Sequence, residues 1–204
     1  ARYCDEWTEV NRKIIPRLLP LDNLNYKEKK LKVVFMTTRP NYRIDIERTE
    51  TTFKMLSNLT DFEIVIKPHT RTGIEARMYR NVKLSEVSNM SSVELCEWAD
   101  VVLVIASSII IESLKMNKPS LYLKYLHKNT VEYEEFESCW TINSDEELKA
   151  ALFSLQHEKE SVPYIQENVN RFLKEIIYGG QEKRDVLMDY EQFIKSGGEY
   201  QVKS

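Results

Sequence analysis

The chain has 204 residues, 42% of them hydrophobic, with 29 basic and 32 acidic side chains for a net charge of −3; this fits one globular domain with a full core, or one domain plus an appendage, and lacks the basic excess of a nucleic-acid-binding protein. The longest apolar run, Val101 to Ala106, is far short of the ~20 residues a membrane-spanning helix needs. Only five glycines occur (Gly73, Gly179, Gly180, Gly197 and Gly198), which leaves no glycine-rich phosphate loop and no dinucleotide fingerprint, so P-loop NTPases, protein kinases and NAD enzymes are excluded together.

Residues 1–30 are polar, contain Pro16 and Pro20 and end in Lys27-Glu28-Lys29-Lys30. They read as an arm or linker, with Trp7 as its one large docking side chain. Leu31 to Met36 reads as a buried strand, followed by a loop from Thr37 to Asp45 and a helix from Arg48 to Leu59 with Phe53, Leu56 and Leu59 on one face. Phe62 to Ile66 is a second strand. A short helix near Glu75–Tyr79 and a short strand at Val82–Leu84 are expected next.

Ser91 and Glu94 have capping-box spacing ahead of a helix that runs to about Trp98. The segment from Asp100 to Ile105 is continuous and β-branched, the mark of a strand covered on both faces in a parallel sheet. A helix from Ser108 to Met116, a strand from Ser120 to Leu123 and a short strand at Trp140–Ile142 follow. Ser144 and Glu147 repeat the capping-box spacing and open a helix through Leu155. Pro163 is placed as the first residue of a helix ending at Gly179-Gly180, and a last helix covers Lys183 to Lys195. The alternation of strand and helix predicts a doubly wound parallel α/β sheet of Rossmann-like type over residues 31–160, with extra helices in 161–204 packed on it.

In such sheets ligands bind beyond the carboxyl ends of the strands, so the loops there are the candidates for chemistry. Ala106-Ser107-Ser108-Ile109-Ile110-Ile111-Glu112 joins the most buried strand to a helix. Ser107 and Ser108 at a helix start offer hydroxyls and amides to a phosphate, and Glu112, one turn deeper, fits a ribose diol. The alternative, equally open at this level, is a helix cap at Ser107 and a solvated Glu112. Lys67-Pro68-His69-Thr70-Arg71 places three possible cations after the second strand: either His69, with an ordinary pKa of ~6.5, is the candidate catalytic proton donor to a leaving phosphate with Lys67 and Arg71 as candidate substrate contacts, or the segment is a polar loop with a solvated lysine and arginine. Thr38 and Arg39, after the first strand, are a weaker pair. His127 with Tyr122, Lys124 and Tyr125 reads either as the border of a sugar or base pocket or as a surface loop. The cysteines, Cys4, Cys96 and Cys139, are scattered and lack any Cys-x-x-Cys spacing, and the histidines lack His-Glu-x-x-His spacing, so no metal or cofactor is expected. The polar amino-terminus from Ala1 to Glu9 and the unpaired cysteines lead to an expectation of a cytoplasmic protein without a signal peptide. The absence of an initial Met leads to an expectation of a processed piece.

Lys67-Pro68-His69, Ala99-Asp100-Val101-Val102-Leu103-Val104, Ser107-Ser108-Ile109-Ile110-Ile111-Glu112 and Asn117-Lys118-Pro119 resemble the carboxyl-terminal, donor-binding half of GT-B-fold glycosyltransferases. The similarity is nearest to the CDP-glycerol glycerophosphotransferase and capsule polysaccharide group, and extends to UDP-N-acetylglucosamine 2-epimerases. It spans about residues 31 to 155. Ile105-Ala106 stands where the glycerophosphotransferases have Asp-Tyr, and Asn117 stands where they have glycine. The resemblance implies that Ser107 and Ser108 hold a donor diphosphate, that Glu112 binds ribose, and that His69, with Lys67 and Arg71, serves the leaving phosphate. It further implies a transferase of a sugar or polyol phosphate from a nucleotide-sugar or CDP-polyol donor to a cell-surface glycan. A missing amino-terminal domain of the same enzyme would then be its partner, and neither nucleic acid nor a membrane span is involved. A UDP-amino-sugar 2-epimerase and a non-catalytic nucleotide-sugar or protein-binding module are the alternatives.

Overall fold

The computed structural model describes residues 30–39, 41–69, 90–181 and 185–196. Its strands are β1 (Leu31–Met36), β2 (Phe62–Lys67), β3 (Val101–Val104), β4 (Ser120–Leu123) and β5 (Trp140–Ile142), all parallel, in the spatial order β2-β1-β3-β4-β5. The helices are α1 (Ile46–Ser57), α2 (Ser92–Trp98), α3 (Ile110–Lys115), α4 (Glu132–Glu135), α5 (Asp145–His157), α6 (Gln166–Tyr178) and α7 (Val186–Lys195), with a 3₁₀ turn at Lys124–Leu126. This is the Rossmann-like doubly wound sheet that the alternation predicts. The expected arm, the helix at Glu75–Tyr79 and the strand at Val82–Leu84 lie outside the described residues.

Period-two alternation divides the buried side chains between two faces. Leu31, Val33, Phe35, Val101, Leu103, Leu121 and Leu123 pack with Phe53 and Leu56 of α1 and with Leu148, Leu152 and Leu155 of α5. Val34, Met36, Val102, Val104 and Tyr122 pack with Leu95 of α2, Ile110 and Leu114 of α3, and Val169 and Phe172 of α6. Both faces of the central strands are therefore dry, as their unbroken apolar sequence requires.

Local chemistry sets where the helices begin and end. The Ser91 hydroxyl accepts from the Glu94 amide at 3.1 Å while the Glu94 carboxylate accepts from the Ser91 amide at 2.9 Å, so the first capping box is complete. The second is not: Ser144 accepts from the Glu147 amide at 3.2 Å, but the Glu147 carboxylate turns outward to the Asn143 amide at 2.7 Å. Helix α3 starts two residues later than expected. The chain leaves β3 through Ala106 at φ 36°, and Ser108 and Ile109 form a turn before the first helical residue. Helix α6 starts at Gln166 rather than Pro163, because the Tyr164 hydroxyl is engaged by the Ser120 amide at 3.2 Å, which holds this stretch against β4 before the helix begins.

Asn117 ends α3 at φ 52°, with the Lys118 amide donating to the Ser113 carbonyl at 2.9 Å. Asparagine is the side chain that best tolerates this left-handed position after glycine, which accounts for its standing where the resembling enzymes have glycine. Asn117→Gly is expected to leave thermal unfolding unchanged or raised, whereas Asn117→Val is expected to cost about 1–2 kcal/mol and lower the midpoint by roughly 2–4 °C per kcal/mol. Equal midpoints for the valine and glycine variants would contradict this account. Lys118 is also structural: its ammonium closes the end of α2 by donating to the Ala99 carbonyl at 2.7 Å and the Glu97 carbonyl at 3.2 Å.

Candidate functional site at the carboxyl edge of the sheet

β1 lies between β2 and β3, so the strand order reverses there, and the carboxyl ends of β1 and β3 are the place where a sheet of this kind binds ligands. Register aligns one row across this edge: Lys67, Met36, Val104 and Tyr122 are paired in turn. Residues paired in register point to the same face, so Lys67 and Tyr122 share the face covered by α2 and α3. They stand three strand spacings apart, roughly 14 Å at ~4.8 Å per spacing.

Lys67 is only 7% exposed. Burial pulls its pKa below the ordinary lysine value, and the Glu94 carboxylate on α2 works in the opposite direction. The end of β2 is fixed to the end of β1: the Lys67 carbonyl accepts from the Thr37 amide at 3.1 Å and the Thr37 hydroxyl at 3.0 Å. Thr38 is buried and Arg39 half-buried just beyond. His69 is half-buried two residues past the end of β2. The fold therefore brings Thr38, Arg39, Lys67 and His69 to adjacent loop starts; Arg71 lies outside the described residues.

The Ile105–Ile109 connection brings Ser107 and Ser108 to the same edge. Neither serine caps α3, whose cap position is Ile109 with no side-chain bond. The amides of Ile110 and Ile111 already donate to the carbonyls of Ser107 and Ser108. The helix-start anion site expected from sequence is thereby narrowed to the turn itself, whose backbone is held at the left-handed Ala106 at a cost of about 1–2 kcal/mol. Strain of this kind clusters at functional sites. Ser108 is exposed and Ser107 half-buried.

Glu112 is 9% exposed, which removes the reading of a solvated helix residue. Ile110, Ile111, Ser113 and Leu114 around it are buried too. Its charge reaches Cys96 on α2: that thiol is pushed up to about 12 by burial first and by Glu112 second. Glu112 thus sits on the same face as Lys67. The sequence signal for its depth was the run Ile109-Ile110-Ile111 with Leu114, since a helix apolar nearly all round is a buried one.

On the β4 side, Tyr122, His127 and Tyr133 form a contiguous aromatic group, with ring centroids 5.4 Å apart for Tyr122 and His127 and 5.1 Å for Tyr122 and Tyr133. The Asn129 amide donates to His127 Nδ1 at 3.0 Å, so the neutral ring carries its proton on Nε2. Burial lowers the His127 pKa, against the opposing charge of Glu134. His127 also joins Ile44 in an antiparallel bridge, beside bonds from the Asp45 amide to the Leu126 carbonyl and from the Lys128 amide to the Arg43 carbonyl. The loops after β1 and β4 are laced together across the end of β3. Among the described residues no group of three or more histidine, cysteine or acidic side chains is placed to hold a metal, and no helix is long and apolar enough to cross a membrane.

No family model matches the chain, and no curated protein does. A variant of the wall teichoic acid polymerase TagF with CDPG is a solved structure similar to it, at 19% identity over 96% of this chain and 47% of that one, with a TM-score of 0.47. A glycosyltransferase of kitacinnamycin is similar at 17% identity over 85% of this chain and 47% of that one, TM-score 0.48. A UDP-N-acetylglucosamine 2-epimerase from Listeria monocytogenes, so described, is similar at 18% identity over 76% of this chain and 46% of that one, TM-score 0.46. The chain spans about half the length of these structures. At such identities no residue's role passes from them to this chain, and the parallel sheet stands on the chain's own register.

Proposed function

We propose that this chain is the donor-binding half of a GT-B-type transferase that moves a sugar or polyol phosphate from a nucleotide-activated donor to a cell-surface glycan. The observation that carries the reading is the placement of a buried cation, Lys67, and a buried carboxylate, Glu112, on one face of the sheet, with the strained serine turn at the same carboxyl edge. An ammonium and two serine hydroxyls at one edge of a sheet are donors of the kind a diphosphate accepts from. A carboxylate deeper in the site repels phosphate and accepts from vicinal hydroxyls, so it sorts the donor into diphosphate at Ser107 and Ser108 and ribose at Glu112.

In this reading Lys67 and Arg71 orient the diphosphate and stabilise the charge that develops on the leaving phosphate, and Thr38 and Arg39 border the donor. His69 donates a proton to the leaving oxygen. Protein cations serve the leaving group, and no metal or cofactor is assigned. The acceptor site and the catalytic base belong to an amino-terminal domain outside this chain. A cytoplasmic setting is supported by the free, buried thiols of Cys96 and Cys139.

Calorimetric titration of the folded chain with CDP, UDP, GDP and CMP tests the proposal. Selective binding of CDP or CMP is the expected result. Binding of UDP alone shifts the reading to the epimerase or to a UDP-sugar transferase, and a folded chain that takes up no nucleotide overturns donor binding altogether.

A further inference from the structure

Among the described residues, three buried side-chain polar atoms have no hydrogen-bond partner: the Tyr122 hydroxyl, His127 Nε2 and the Tyr133 hydroxyl. All three residues are more than nine-tenths buried, at 0%, 7% and 6% exposure. A polar group left in this state costs about 1–3 kcal/mol, and the three are neighbours rather than scattered defects. They stand at the carboxyl end of β4, on the Lys67 face, and the Ser107 backbone lies near the Tyr133 hydroxyl. The cluster therefore adjoins the serine turn.

We propose that Tyr122, His127 and Tyr133 form the subsite for the uncharged, hydroxyl-bearing part of the activated donor, a sugar or polyol. This inference rests on the donor-binding reading above. The chemistry of the three groups selects hydroxyls over a second phosphate. His127 Nε2–H is a donor, because the Asn129 amide occupies Nδ1. Each phenol both donates and accepts, as a hydroxyl partner requires. Among the described residues, the charged side chain acting on all three is Glu134, whose carboxylate pairs with the Lys124 ammonium. A neutral pocket beside a carboxylate disfavours phosphate and accepts a polyol. The polar tips are closed to water here, so entry requires a local opening. The opening is assigned in this proposal to α4, a single turn that carries Tyr133 and is followed by a left-handed Glu137 at φ 51°.

The experiment compares the chain with Tyr122→Phe and Tyr133→Phe. The first readout is the ratio of affinities for CDP-glycerol over CDP and for UDP-N-acetylglucosamine over UDP, by calorimetry. The second is the His127 imidazole ¹⁵N signal during titration with glycerol 1-phosphate and with N-acetylglucosamine 1-phosphate, nucleotide absent. Each variant is expected to keep its nucleoside diphosphate affinity, to lose about 3- to 10-fold in the donor ratio, and to lose the ligand-induced imidazole shift. Each is also expected to unfold at the same or a higher temperature, since an orphaned hydroxyl has been removed. An unchanged ratio with an unchanged imidazole response overturns the subsite while leaving nucleotide binding intact. An imidazole shift in a chain that binds no nucleotide supports the subsite and overturns the donor-diphosphate reading instead. A lowered unfolding temperature in both phenylalanine variants would show hydroxyls bonded within the fold, and overturns the subsite as well.

Discussion

Lys67→Met weakens nucleoside diphosphate binding by about 10- to 100-fold and leaves the fold at least as stable as before. The first half follows from the ~1.5–3 kcal/mol carried by a hydrogen bond to a charged group, lost here in a site shielded from water. The second follows from the burial of the ammonium, which methionine replaces at similar volume without a charge to desolvate. Glu94 is not stranded by the change, because its carboxylate keeps the bond from the Ser91 amide. The pH dependence fixes the sign. Burial places the folded-state pKa of Lys67 below the unfolded value near ~10.4. The unfolded chain therefore binds more protons between the folded pKa and that value, and stability rises with pH across this window. Below the folded pKa the penalty is fully present. Buried thiols and phenols such as Cys96 and Tyr122 are pushed up and act in the opposite sense in both proteins, so the Lys67 contribution is read as a difference: the gap in unfolding midpoint between the methionine variant and the native chain should narrow from neutral pH towards pH ~10. A methionine variant that melts earlier yet binds CDP or UDP as before would show that Lys67 is a structural cation.

Glu112→Ala weakens binding of a nucleoside diphosphate about 10-fold or more and that of inorganic pyrophosphate far less. Pyrophosphate has no ribose, so it has nothing to offer the carboxylate except repulsion. Two hydrogen bonds from a vicinal diol to a buried carboxylate are charge-assisted, and losing them leaves the diol without a partner in a site that excludes water. Because Glu112 is buried, truncation also leaves a cavity. Glu112→Gln separates the effects: it keeps the shape, removes the charge, and should retain the fold while still discriminating nucleotide from pyrophosphate less well than the native chain. Equal losses for both ligands in the alanine variant would assign Glu112 to the packing of α3 alone.

Much of the sheet was readable from residues 31–142 because its strands are short, continuous and largely apolar. The ranges Leu31–Met36, Ser120–Leu123 and Trp140–Ile142 coincide with the observed strands. The spatial order β2-β1-β3-β4-β5 was not readable, since pairing between distant strands leaves no local mark. The start of α3 was misplaced because a left-handed alanine gives no sequence sign, unlike glycine. The 3₁₀ turn at Lys124–Leu126 and the single turn of α4 escaped notice because neither is long enough to show a period. At the candidate site the residue types were legible and their depth was not. Lys67 ends an apolar strand, and a charge in that position reads as solvated until α2 is seen to cover it. Tyr122 and Tyr133 belong to separate elements, and only the packing of α4 against β4 brings their rings together.

The bridge between Ile44 and His127, with the neighbouring bonds from Asp45 to Leu126 and from Lys128 to Arg43, has a mechanical consequence. Asp45 is the residue that caps α1, accepting from the Arg48 amide at 3.0 Å, so any shift of the chain around His127 pulls on the first turn of a helix on the other side of the sheet. Occupancy near β4 would then be felt as altered amide exchange at Glu47 to Thr49, a distant reporter that needs no label at the site itself.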